Sequence, residues 1–113
     1  MKDKFYSNVD AYFNKKAKFY SRDSKSFFWS KFRNAELKGF KKLIKNFDKK
    51  IFLELGSGSG FYSNYLIKNG AKKVYAIDRS KKMVQNISNK KIKKFYFDAA
   101  NFNLNKKFSF ILC

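Results

Sequence analysis

Residues 51–80 read IFLELGSGSGFYSNYLIKNGAKKVYAIDRS, and this stretch decides the fold. IFLEL (51–55) is a short, almost continuous apolar run, as expected for a strand buried on both faces. GSGSG (56–60) breaks it. FYSNYLIKN (61–69) then has helical spacing at Phe61, Tyr65 and Leu66, and Gly70 is placed to cap its C-terminus. KVYAI (73–77) is a second buried strand, closed by Asp78. Strand, glycine turn, helix and strand within thirty residues make a βαβ unit. Such a unit pairs parallel strands through a right-handed crossover.

Toward the C-terminus the pattern continues. Ser80 can cap a helix containing Met83, Val84 and Ile87. IKKFYF (92–97) reads as a third strand and FSFIL (108–112) as a fourth, with a loop between them. The order implies an α/β fold, a Rossmann-like parallel sheet of about four strands with flanking helices. A doubly wound sheet normally runs on past this point. The expectation is therefore a partial domain over residues 51–113, truncated after the fourth strand, with an apolar strand at or near an unprotected edge. A partner chain completing the sheet would cover it. Toward the N-terminus, residues 8–20 have helical spacing at Val9, Tyr12, Phe13, Ala17 and Tyr20, with Ser7 or Asn8 as cap. SRDSKS (21–26) is a polar break. Residues 27–47 suggest a second amphipathic helix, interrupted at Gly39. Residues 1–50 thus read as a helical cover preceding the sheet. No internal repeat and no interdomain linker is visible.

Composition narrows the classes. The chain has 113 residues, 44% apolar and 31% charged, with no proline. That is one domain at most, and too apolar for a disordered chain despite a formal charge of +19. The single cysteine, Cys113, excludes a disulfide scaffold, and the absence of histidine excludes a Cys/His metal cage. No apolar run approaches the roughly 20 residues that span a bilayer. The N-terminus has no signal-peptide pattern, so a soluble cytoplasmic protein is expected. All but three of the 27 cations are lysine, scattered along both halves of the chain. This fits compositional drift at tolerant surface positions better than a dedicated nucleic-acid stripe, so RNA binding is the minor reading. The same bias makes acids informative: from residue 51 onward they are only Glu54, Asp78 and Asp98. Each lies in or just past a strand-like run.

Glycines at 56, 58 and 60 sit between a strand and a helix. Without Cβ atoms the backbone turns sharply there and a ligand can approach closely, facing the free N–H groups of the helix start. A nucleotide-type cofactor outside the carboxyl ends of the strands is the general expectation. The dinucleotide fingerprint G-x-G-x-x-G would need a third glycine where Phe61 stands. Glu54, two residues before the first glycine, is unwelcome near a pyrophosphate but suits a ligand with an amino group and a sulfonium. Asp78 is placed to accept hydrogen bonds from ribose hydroxyls. Asp98 can accept from an adenine amino group, with the Ala99 N–H nearby. Taken singly, each acid also has a structural explanation as a cap or turn former.

These residues carry a resemblance. ELGSGSG, AIDRSKKM and FDAANF together are similar to the class I S-adenosylmethionine-dependent methyltransferases, over roughly residues 51–113. The resemblance implies cofactor binding by Glu54, Gly56, Ser57, Gly58, Gly60, Asp78, Arg79, Asp98 and Ala99, with S-adenosylmethionine as cofactor. The run from Asp78 through Ser80 to Met83 is similar to the branch that methylates small molecules. FSFILC resembles the family's fourth strand, where many members carry an Asp; here Ser109 stands at that position. The family needs no metal and no covalent nucleophile. Its acceptor-side strands lie beyond the fourth, so the resemblance implies the cofactor half of the enzyme. Without histidine, any general base would be a Tyr, Asp or Lys. The aromatic N-terminal residues Tyr6, Tyr12, Tyr20, Phe27, Phe28 and Trp29 are expected to line part of an acceptor pocket or to pack on the sheet. The alternatives are an RNA methyltransferase, favoured by charge, and a non-catalytic adenosyl-binding remnant or subunit. A nicotinamide dehydrogenase comes after these.

Overall fold

The computed structural model describes residues 4–23 and 25–113. Its elements in chain order are α1 (Lys4–Asp23), α2 (Phe27–Leu43), β1 (Ile51–Leu55), α3 (Phe61–Lys68), β2 (Lys73–Asp78), α4 (Lys81–Gln85), β3 (Ile92–Tyr96) and β4 (Phe110–Leu112). The four strands form one sheet in the order β3-β2-β1-β4, and every pairing is parallel. This is the Rossmann-like α/β arrangement expected from the sequence.

The register explains why the apolar runs of β1 and β2 are continuous. Phe52 pairs with Val74, Leu53 with Tyr75 and Glu54 with Ala76, so both strands are central and buried on both faces. One face packs Phe52, Val74 and Ala76 against Leu66 of α3, Ile87 and the segment after α2. The other packs Leu53, Tyr75 and Ile77 against Phe95, Phe102, Leu104 and Phe108. Helix-flanked packing thus covers one face, and the β3–β4 connection covers the other. That connection carries its own apolar side chains, which is why a loop serves there.

Several boundaries differ from the sequence reading. α1 begins earlier and ends later than 8–20. α2 runs through Gly39 without interruption and stops at Leu43. Ile44 and Phe47 then leave the helix to enter the core, at 6% and 8% exposure. β4 is shorter than expected, because Phe108 turns into the loop-covered face. Ser109 starts the β1–β4 pairing: its N–H donates to Ile51 O at 2.8 Å, and its hydroxyl accepts from Ile51 N–H at 3.1 Å. The residue standing where the family often has an acid therefore anchors a strand. The expected caps of α3 and α4 are present, whereas Ser7 and Asn8, expected to cap the first helix, lie inside α1. Ser80 Oγ accepts from Met83 N–H at 3.3 Å, and Gly70 closes α3 at φ +102°.

Among the described residues, no strand pairs with the outer side of β4. No described helix is long and apolar enough to cross a membrane.

Candidate functional site

The site is built where β1 and β2 end. Gly56, Gly58 and Gly60 adopt φ values of +70°, +54° and +83°, a region that side-chain-bearing residues avoid. The loop is pinned to β2 by the Ser57 N–H, which donates to Ile77 O at 3.0 Å. At Gly60 a Cβ would stand 3.0 Å from Ile87 Cγ1, a tight contact that adds to the conformational demand for glycine. Asp78 ties the loop to the next element. Its Oδ2 accepts from Gly58 N–H at 2.8 Å and its Oδ1 from Ser80 N–H at 2.7 Å. Each oxygen keeps capacity for a second donor. The capping role and the ligand role proposed for Asp78 are therefore compatible.

Glu54 is 4% exposed and lies on the helix-covered face, where the Ser63 hydroxyl donates to it. Burial pushes its carboxyl up to about 7, against the hydrogen bonds from Ser63. The Asp78 charge adds to the rise, and Arg33 opposes it. Near neutral pH the group is poised to ionise when a cation arrives. Ser57 Oγ, in the same loop, is buried without a hydrogen-bond partner. Such an orphan donor-acceptor is unusual in a folded chain and points to a ligand contact.

Arg79 bridges two acids. Its guanidinium lies 3.4 Å from Asp10 of α1 and 3.7 Å from Asp98. The ring of Tyr6 lies beneath it at 4.6 Å. Asp98 is half-exposed, and its Oδ1 accepts from Ala100 N–H at 2.9 Å. Ala99, Phe97, Asp78 and Arg79 line a cavity of about 350 Å³ that reaches Gly56 and Gly58. The structure thus brings Gly56, Gly58, Asp78, Arg79 and Ala99 together around one space. Glu54, Gly56 and Ser57 face an adjoining cavity of about 330 Å³. Asp98 sits at the side, joined through Arg79.

Tyr20 was expected only as one of several aromatic cover residues, yet it borders every cavity of the site. Its ring would stand 3.4 Å from a Cβ at Gly58. It lines both of these cavities and a third of about 380 Å³. Tyr12, Phe13, Trp29 and Phe32 form the apolar wall of that third space, and Arg33, Glu36 and Tyr62 lie along it. Of the other expected cover residues, Tyr6 lies at Arg79, while Phe27 and Phe28 are 77% and 70% exposed. Sequence reasoning missed Arg33, Glu36 and Tyr62. Arg33 was the one with a signal, since arginine is rare in so lysine-rich a chain. The Tyr62 hydroxyl donates to Glu36, and burial followed by this acidic partner pushes its ionisation above the usual tyrosine range. Tyr62 is the hydrogen-bond donor of the pair and the Glu36 carboxylate the acceptor.

A glycine cradle at the carboxyl ends of parallel strands, with acids at adjacent strand ends, defines a nucleotide-type cofactor-binding domain. Comparison with known proteins makes the class specific. Residues 53–113 match the family described as methyltransferase domain, and the chain belongs to that family. No curated protein matches the sequence significantly. Solved structures share the fold. The magnesium protoporphyrin IX methyltransferase ChlM of Synechocystis PCC 6803, solved with bound SAH, is 20% identical at a TM-score of 0.70, over 93% of this chain and 56% of its own. DhpI, in complex with SAM and HEP, is 19% identical at 0.71, over 89% and 46%. A Pyrococcus horikoshii protein provisionally assigned as an RNA methyltransferase is 24% identical at 0.57, over 67% and 39%. The chain therefore spans about half the length of these proteins, or less.

Proposed function

We propose that the chain binds S-adenosylmethionine in the glycine cradle and serves methyl transfer to a small-molecule acceptor in the adjoining aromatic cavity. The observation that carries this reading is the junction at Asp78, which joins the glycine loop, β2 and α4 around a single space. The residues present fit the cofactor. Glycines leave the backbone open, Ser57 Oγ is buried without a partner, and Glu54 offers a buried carboxylate to a cationic amino group. In this reading Asp78 holds the ribose hydroxyls, Asp98 and the Ala99 N–H flank the adenine, and Arg79 fixes Asp98. When bound, the cofactor supplies a methyl group on a positively charged sulfur, which is a good leaving group.

The protein's part is then positioning and exclusion of water. Tyr20 stands between the cofactor space and the aromatic cavity, so it sets the approach of the acceptor. The wall of Tyr12, Phe13, Trp29 and Phe32 favours a flat, apolar acceptor. Glu36, held by the Tyr62 hydroxyl, takes the proton of an acceptor hydroxyl or amine. The ChlM and DhpI neighbours support a small molecule as acceptor.

The test is incubation of the full chain with labelled S-adenosylmethionine and simple hydroxylated aromatics such as catechol. Acceptor-dependent formation of S-adenosylhomocysteine, reduced at least roughly tenfold by Glu36→Gln, is expected. Cofactor binding without turnover on any acceptor would instead leave an adenosyl-binding remnant. The +19 charge favours RNA methylation as the second reading, and the archaeal neighbour supports it. In that case label would appear in RNA, with binding that falls steeply as salt rises.

A further inference from the structure

Phe27 and Phe28, expected to line an acceptor pocket or to pack on the sheet, stand out in solvent. They open α2, directly after the α1–α2 turn, and are 77% and 70% exposed. Phe19, in the last turns of α1, is 41% exposed at the same end of the helix pair. The turn between them is tight: Lys25 N–H donates to Arg22 O and Ser26 N–H to Asp23 O, both at 3.1 Å. Large apolar side chains so exposed at the turn between two helices mark an interaction surface.

The charges around the tip select the partner. Residues 18–31 carry four cations, Lys18, Arg22, Lys25 and Lys31, and one acid, Asp23, which is paired with Arg22 at 3.5 Å. The cations sit on the ring faces. Lys31 Nζ is 4.5 Å from the Phe27 ring, and Arg22 and Lys18 are 5.0 and 5.5 Å from the Phe19 ring. Trp29 follows at once, edge-on to Phe28 at 5.6 Å. Phenylalanine tips that project past a collar of lysine and arginine, with a tryptophan at the collar, match the layered polarity of a lipid surface. The cations meet anionic headgroups and the rings enter the acyl boundary. A nucleic acid fits less well, because the Phe19 and Phe27 faces that would stack on bases carry the chain's own cations. The helices are too polar to span, so the contact is peripheral.

We propose that the α1–α2 tip docks the protein on an anionic lipid bilayer, with Phe27 and Phe28 inserting at the headgroup boundary. The proposal stands independently of the methyl-transfer reading. It is tested by sedimentation with vesicles of phosphatidylcholine alone and with about 30% phosphatidylglycerol, while Trp29, the only tryptophan, reports its environment. Expected is binding to the anionic vesicles, with a blue shift of Trp29 emission and a loss of roughly tenfold or more in the F27S/F28S variant. That variant keeps every charge, and its circular dichroism should match the parent because both rings are exposed. Lys25→Glu with Lys31→Glu should weaken binding as well. Anionic vesicles that fail to bind overturn the proposal. Undiminished binding by F27S/F28S does so too, since it reduces the effect to charge adsorption. So does a loss in that variant confined to single-stranded RNA binding, or to dissociation of a dimer.

Discussion

Two residues of the cradle carry constraints of different kinds. Gly60 combines φ +83° with a crowded Cβ position, 3.0 Å from Ile87 Cγ1. Gly56 has φ +70° but open space around its Cβ position. Gly60→Ala should therefore lower the stability measured by urea denaturation by about 2–3 kcal/mol, and Gly56→Ala by about 1 kcal/mol. Glu54 carries an electrostatic constraint. Its carboxyl is raised to about 7, so between the ordinary value of 4.5 and about 7 the folded chain holds a proton that the unfolded chain has lost. Stability attributable to this group is complete below the lower value and is lost as pH rises through the upper one. Glu54→Gln should be more stable than the parent above pH 7 by about 3 kcal/mol, a gap that closes toward pH 4.5. The same variant should bind a cationic ligand more weakly. A parent and variant of equal stability at pH 8 would show that Glu54 is not held in this way.

At the scale of elements, the site depends on how α1 lies across α4. Asn14 Oδ1 accepts from Ser80 Oγ at 2.8 Å and from Lys82 N–H at 3.3 Å. Asn86 Nδ2 donates to Ala17 O at 2.9 Å, and Ala17 is 3% exposed. These contacts fix the helix whose Tyr20 stands over Gly58. Asn14→Ala should cost about 1 kcal/mol and weaken S-adenosylhomocysteine binding several-fold, with circular dichroism unchanged. An unaltered affinity in a calorimetric titration would detach α1 from the site. The strands and glycine loop were legible because each is written in a few neighbouring residues: apolar runs, G-x-G-x-G and the acid that follows. The roles of Asp10, Asn14 and Tyr20 were not, since their partners lie more than sixty residues away, or in the case of Tyr20 across the loop. Helical spacing showed that α1 has an inner face, but not which loop that face meets. The run through Gly39 was misread because one glycine lowers helix propensity by only about 1 kcal/mol, which the rest of α2 absorbs.

At the scale of the molecule, the sheet edge sets behaviour in solution. β4 forms an edge among the described strands, and its Ile111 is 61% exposed. Such an edge invites pairing with other chains. Ile111→Lys should reduce concentration-dependent light scattering without changing the unfolding free energy by more than about 0.5 kcal/mol. Scattering that persists would assign association to another surface. The molecule otherwise organises its helices, cavities and acids around one point, where the Asp78 carboxylate holds Gly58 and Ser80. Calorimetric titration of the folded chain with S-adenosylhomocysteine, with NAD as control, bears on that point most directly. Saturable binding is expected, selective against NAD and weakened at least about thirtyfold by Asp78→Ala, a change of roughly 2 kcal/mol. A chain that is folded by circular dichroism yet gives no heat with S-adenosylhomocysteine, or binds it equally well as Asp78→Ala, would contradict the assignment of the cradle.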